Sequence, residues 1–264
     1  MYFLTDTNIS NSSRLTVHTR PKMNEKLHIG TSGWSYEHWK GNFYPDKIKG
    51  KEMLSCYSDK FKTVEINASF YRLPSEKTLK DWYQSVADDF TFSIKASRYI
   101  THQKKLNDPQ RSIKKFFDVI PKLDDKQGPI LFQLPPNWHK NTERLADFID
   151  ALPSDYSYVF EFRDPDWFAD DIVDLLRETD TAFCIYDLEG EETPIHITSD
   201  FVYIRLHGPG AKYRGSYSKK LLEKWVHRFR EWHKHGLEIY CYFNNDYGGH
   251  APRNAALLME MMGI

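Results

Sequence analysis

Tyr158-Val159-Phe160-Glu161-Phe162-Arg163-Asp164-Pro165 reads as a buried strand that carries both a carboxylate and a guanidinium. Side chains alternate along a strand, so Glu161 and Arg163 share one face while Phe160 and Phe162 share the other. A strand whose aromatic back packs on helices and whose charged front lines a closed polar interior fits this pattern better than a surface strand. The competing reading is a salt bridge that only holds a core together. Other strands decide between the two. Val64-Glu65-Ile66-Asn67 places Glu65 and Asn67 on one face, and Val202-Tyr203-Ile204-Arg205-Leu206-His207-Gly208 does the same with Arg205 and His207. Phe92 to Lys95, Ile130 to Gln133 and Cys184 to Asp187 each end in a polar residue after an apolar run, and Tyr240 to Phe243 leads into Asn244-Asn245.

Apolar runs of strand length begin near His28, Lys62, Thr91, Pro129, Tyr158, Thr181, Phe201 and Glu238. Helical spacing fills most of the gaps: Glu52 to Lys60, Ser75 to Val86, Pro109 to Leu123, Thr142 to Leu152, Ala169 to Glu178, Ser218 to Lys234 and Pro252 to Met262. Ser75, Asn141 and Ser218 are placed to cap helix starts. In the longest helix Leu221, Leu222, Trp225, Phe229 and Trp232 recur at three- and four-residue steps, the stripe of a helix laid on a sheet. Eight strands alternating with helices predict a single α/β domain folded as a (β/α)8 TIM-like barrel over residues 27–264. An open doubly wound sheet is disfavoured, because Gly30-Thr31-Ser32-Gly33 is not a dinucleotide fingerprint. The gap from Leu188 to Asp200 holds Gly190 and Pro194 and is too short for a full helix. An irregular or missing helix is expected there, between strands six and seven. Residues 1–26 are rich in Ser, Thr and Asn without a period and read as a flexible N-terminal tail.

The net charge of −1 on 264 residues offers no general attraction to nucleic acid or to an acidic membrane. Cys56, Cys184 and Cys241 are too far apart for a CxxC pair, which points to free thiols in a cytoplasmic protein. No apolar run approaches membrane-spanning length.

Barrel enzymes keep their chemistry at the C-terminal ends of the strands. Glu65 and Glu161 are candidates for acid and base, and His207, at the head of a Gly-rich loop, is a third proton carrier. The substrate-binding candidates are Asn67, Lys95, His102, Gln133, Arg163, Asp187, Arg205 and Asn244, with Trp34 and Tyr71 as loop aromatics able to stack on a ring. Three carboxylates facing three cations would make a nearly balanced site. Lys95 would act as a Schiff-base amine only if neutral, and the glutamates beside it are expected to keep it charged. Glu65, Glu161, Asp187 and His207 are ligand types suited to Mg or Mn, but three interleaved cations weaken such a site, so no metal or cofactor is expected.

With these residues in view the sequence resembles a known family. Gly30-Thr31-Ser32-Gly33-Trp34-Ser35-Tyr36 with Trp39 and Phe43-Tyr44-Pro45 is similar to the opening of the YecE-like family, the domain of unknown function numbered 72. Val64 to Asn67 through Ser69-Phe70-Tyr71-Arg72-Leu73-Pro74 resembles its second motif, and Phe92 to Lys95 with Ile100-Thr101-His102 its third. Phe132-Gln133-Leu134-Pro135-Pro136, Glu161-Phe162-Arg163 with Trp167, Tyr203 to Gly208, and Tyr242-Phe243-Asn244-Asn245 with Asn254-Ala255 complete the match. The resemblance implies a TIM barrel remotely related to sugar isomerases, and no established reaction. Lys95, Arg163 and Arg205 stand where isomerase-like barrels hold metal ligands. The leading expectation is an enzyme, isomerase or hydrolase, acting on a small anionic sugar-containing or phosphorylated compound. The alternatives are a protein that binds or processes single-stranded nucleic acid on the aromatic rim, and a non-catalytic ligand sensor.

Overall fold

Eight parallel strands form a nearly closed barrel in the computed structural model, which describes residues 26–264. The stretch assigned from sequence to a flexible tail, residues 1–26, lies outside the described residues except for Lys26. In chain order come β1 (Leu27–Thr31), α1 (Met53–Ser58), β2 (Thr63–Ile66), α2 (Ala68–Tyr71), α3 (Glu76–Gln84) and β3 (Thr91–Lys95). Next are α4 (Pro109–Ser112), α5 (Lys114–Phe117), β4 (Gln127–Gln133), α6 (Thr142–Asp150), β5 (Tyr158–Glu161) and α7 (Asp170–Glu178). The last elements are β6 (Ala182–Leu188), a two-residue β7 (Glu191–Glu192), β8 (Phe201–Leu206), α8 (Lys219–Lys234), β9 (Glu238–Phe243) and α9 (His250–Met262). Neighbouring barrel strands follow the order β1-β9-β8-β6-β5-β4-β3-β2.

Closure between β1 and β2 uses one parallel bridge, Ser32 with Glu65, in which the Gly33 N–H donates to the Glu65 carbonyl at 2.8 Å. Beside that bridge the buried Tyr57 of α1 supplies a hydroxyl in place of ladder bonds. It accepts from the Thr31 N–H at 2.9 Å and donates to the Thr63 carbonyl at 3.0 Å. The strands approach so closely that a Cβ on Gly30 would stand 2.3 Å from the Thr63 carbonyl oxygen.

Alternation along the strands splits the core into two. Leu131, Val159, Ala182, Cys184, Phe201, Tyr203, Tyr240 and Tyr242 fill the barrel interior, while a larger apolar layer lies between sheet and helices. Phe160 and Phe162 belong to that outer layer, as their phase predicts. Phe132, Phe160, Phe162 and Trp167 form a stacked ladder there, with ring centres 5.3, 6.1 and 5.1 Å apart. Ser75, Asn141 and Ser218 cap α3, α6 and α8 through bonds accepted from Thr78, Arg144 and Leu221 backbone N–H groups.

Two connections depart from regular alternation. The helix expected over Pro109 to Leu123 is broken into α4, α5 and a 3-10 segment, Ile120–Lys126; Pro121 has no N–H to continue a helix. Between β6 and β8 there is no helix, as the short gap requires. Instead β7 folds back antiparallel on β6, and Thr193 and Thr198 bond the β6 backbone at Tyr186 and Phe183. Among the described residues no helix is long and apolar enough to cross a membrane.

Candidate active site

Five side chains form one chain of hydrogen bonds and ion pairs across the C-terminal end of the barrel. Glu65 Oε1 accepts from Ser32 Oγ at 2.6 Å and from Arg205 Nη2 at 2.7 Å, and its Oε2 accepts from the Tyr203 hydroxyl at 2.8 Å. Arg205 Nη1 donates to Glu161 Oε2 at 2.5 Å, and Glu161 Oε1 pairs with Arg163. Arg163 Nη2 donates to His207 Nε2 at 2.8 Å. Glu65, Glu161 and His207 are wholly inaccessible and Arg205 is 1% exposed, so each charge depends on its neighbour rather than on water. Burial by itself would raise the Glu161 carboxyl, but Arg163 and Arg205 outweigh it and hold the group well below the usual carboxylate range.

His207 is locked in one protonation state. A guanidinium has no lone pair to offer, so Nε2 must accept and the ring proton sits on Nδ1. The Asn244 side-chain amide lies 3.1 Å from Nδ1, and the orientation that satisfies both groups turns its oxygen to that proton. Burial pushes the imidazole down to about 3. Between pH 6.5 and about 3 the unfolded histidine takes a proton that folded His207 refuses, so its contribution to stability falls as pH drops through that window. Glu161, Arg163 and Arg205 are the charged groups facing it. His207→Gln should therefore lose part of the acid-side decline, which urea midpoints at pH 7 and pH 4 would read. An unchanged decline would place the proton elsewhere.

Lys95 stands apart from this chain. Its Nζ donates to Gln133 Oε1 at 2.7 Å and rests 4.2 Å from the centre of the Phe70 ring. Gln133 in turn donates to the Leu134 carbonyl at 2.7 Å. Sequence reading expects the glutamates to keep this amine charged, and burial works against them. Both carboxylates are engaged by guanidinium groups, and burial, helped by Arg205 and opposed by Glu161 and Glu65, brings Lys95 down to about 7.

Asp187 does not join the site. Ala182 and Cys184 line the interior, so period two turns Tyr186 inward and Asp187 outward, where it accepts from the Gly190 N–H at 3.1 Å. Tyr186 takes its place, with the Arg163 guanidinium 4.5 Å from its ring centre. The mouth thus holds three cations, Lys95, Arg163 and Arg205, against two carboxylates. The four groups considered for Mg or Mn do not converge, because Asp187 faces away. The metal-type cluster among the described residues is His139, Asp164 and Asp166, in the loops after β4 and β5.

The remaining candidates line the rim. His102, in a π-helical turn, bonds Thr101 Oγ1 at 2.9 Å and meets the other side of Phe70 edge-on at 5.0 Å. Its burial, with Lys95 and Arg98 nearby, lowers it to about 4. Trp34, Asn67 and Tyr71 border a 430 Å³ cleft with Tyr36 and Trp82, and Asn67 Oδ1 is buried there without a hydrogen-bond partner. Ser32, Tyr186 and Tyr203 are site residues that sequence reading passes over. Tyr203 was within reach, since it lies two residues before Arg205 on the same face.

A nearly closed parallel α/β barrel with its charged side chains at the C-terminal strand ends is a TIM-like barrel. Residues 28–264 match the family described as "Protein of unknown function DUF72", and the chain belongs to that family. It is 24% identical to the UPF0759 protein YunF of Bacillus subtilis over 271 residues, which covers 90% of this chain and 95% of that protein. The UPF0759 protein YecE of Escherichia coli K12 is 29% identical over 144 residues, 54% of this chain and 50% of YecE. The crystal structure of a DUF72 family protein from Thermotoga maritima superimposes with a TM-score of 0.81 at 28% identity, covering 90% of this chain and 99% of that one.

Proposed function

We propose that the barrel mouth belongs to an enzyme that binds a small anionic sugar-containing or phosphorylated compound and rearranges it by proton transfer, as an isomerase does. The observation that carries this reading is the charge count: Arg163 and Arg205 balance Glu161 and Glu65, so Lys95, about half protonated at neutral pH, has no carboxylate of its own. A buried surplus of positive charge at the end of a barrel favours an anion. Hydrolysis between paired carboxylates is less well supported. It needs one carboxyl in its protonated form, and Glu161 is held ionised by two guanidinium groups. Isomerisation needs a group that exchanges protons near neutrality, and Lys95 at about 7 meets that requirement. Glu65, Glu161 and His207 then hold the arginines in place, and Gln133, Asn244 and Asn67 supply neutral contacts.

Melting temperatures with a panel of sugar phosphates, nucleoside monophosphates and the matching neutral sugars test the proposal. Anionic compounds are expected to raise the melting temperature by several degrees at millimolar concentration and neutral ones to leave it unchanged. The rise should shrink in 0.5 M salt as the mouth's charge is screened, an ionic strength at which the Debye length is roughly 4 Å. Equal responses to charged and neutral sugars, or none at all, would remove the proposal.

A further inference from the structure

We infer that Lys95 is an amine nucleophile, one that captures the carbonyl carbon of an aldehyde or ketone ligand as an imine. This rests on the mouth being a ligand site, as proposed above, and adds the chemical group the ligand must present. The amine is fixed in position. Its residue ends β3, its carbonyl accepts from Ser69 Oγ at 2.6 Å, and Phe70 closes one side. Its polar partner, Gln133 Oε1, is neutral and brings no charge that would hold the proton on the amine.

Lys126 shows what a structural buried lysine looks like in the same molecule. It is hidden too, and it donates to the Tyr83 and Val86 carbonyls at 2.9 and 3.0 Å and lies 3.8 Å from Asp88, three acceptors for one amine. Lys95 has one neutral acceptor and two guanidinium groups in its surroundings instead. Burial, Arg205 and Arg163 oppose its charge while Glu161 and Glu65, already bonded, support it only partly. A shift from 10.5 to about 7 raises the uncharged fraction at pH 7 from roughly one in three thousand to about a half. The residue is 9% exposed.

In the step itself the nitrogen lone pair attacks the carbonyl carbon and a C–N bond forms. The carbonyl oxygen leaves as water carrying both amine protons, and a C=N bond remains; hydrolysis returns the amine. No oxidant or reductant is needed.

Reductive trapping of the wild-type protein with glyceraldehyde and cyanoborohydride, read by peptide mass spectrometry, tests this without knowing the natural substrate. At pH 7 the Lys95 peptide should be modified at least ~10-fold faster than the peptides of Lys126 and the exposed Lys77, with a rate that levels off just above pH 7. The fast label should vanish in Lys95→Arg. Modification of Lys95 no faster than Lys77, or a Lys95 rate that keeps climbing through pH 9, would overturn the inference. Fast trapping of this neutral probe without any response to anionic sugars would uphold the amine and sink the proposed substrate. Anion binding without trapping would do the reverse.

Discussion

Arg205→Met is expected to cost about 3–5 kcal/mol of folding stability, the range found when one partner of a buried ion pair is removed. Arg205 is the cation that Glu65 and Glu161 share, at 2.7 and 2.5 Å, and neither carboxylate can turn to solvent. Methionine fills much of the volume but leaves Glu65 with hydroxyl donors alone and Glu161 with Arg163 and a long contact from the Cys184 thiol. Guanidinium chloride denaturation would show the loss as a fall in midpoint without a change in slope. Since single domains hold only about 5–15 kcal/mol in total, the variant should be partly unfolded at 37 °C. Removing the three charges together, as Glu65→Gln, Glu161→Gln and Arg205→Met, should recover much of that loss. A single variant as stable as the wild type would mean that the network contributes specificity and no net stability.

Gly30→Ala should cost about 3 kcal/mol, at the upper end of what added volume does in a tight core. Its Cβ would lie 2.3 Å from the Thr63 carbonyl and 3.0 Å from the Tyr57 hydroxyl, and the first of these is backbone that cannot swing aside. Relief requires β1 to move off β2, which breaks the bonds that Tyr57 makes to both strands. Gly50→Ala is the control: nothing lies within 4 Å of a Cβ there, and the change should stay within about 0.5 kcal/mol. Equal thermal midpoints for the two variants would show that the seam yields without loss.

The barrel was legible because its strands announce their phase. Phe160 and Phe162 behind Glu161 and Arg163 fix which side faces in, and the same holds for Tyr203, Arg205 and His207 on β8. The phase of β6 was not legible. Ala182 to Tyr186 is apolar on both faces, as a strand buried on both sides tends to be, so its pattern does not tell whether the polar residue at its end faces in or out. One residue of phase exchanged Asp187 for Tyr186 and turned a balanced site into a cationic one. The state of Lys95 could not be read from sequence either. It depends on which cation each glutamate reaches, and that is set by contacts between β2, β5 and β8, far apart in the chain. The helical period over Pro109 to Leu123 was legible, but Pro121 carried more weight than the apolar pattern.

Tyr57 gives the cylinder an unusual kind of closure. Along the other strand pairs the wall is knitted by main-chain groups that every residue except proline carries, so those rows tolerate most changes of side chain. At this one place a single main-chain bond, from Gly33 to Glu65, is joined by knitting that passes through a phenolic oxygen, so part of the closure is written in a single codon. Phenylalanine there would keep the ring, the helix and every strand, and would delete the oxygen that joins the first strand to the second.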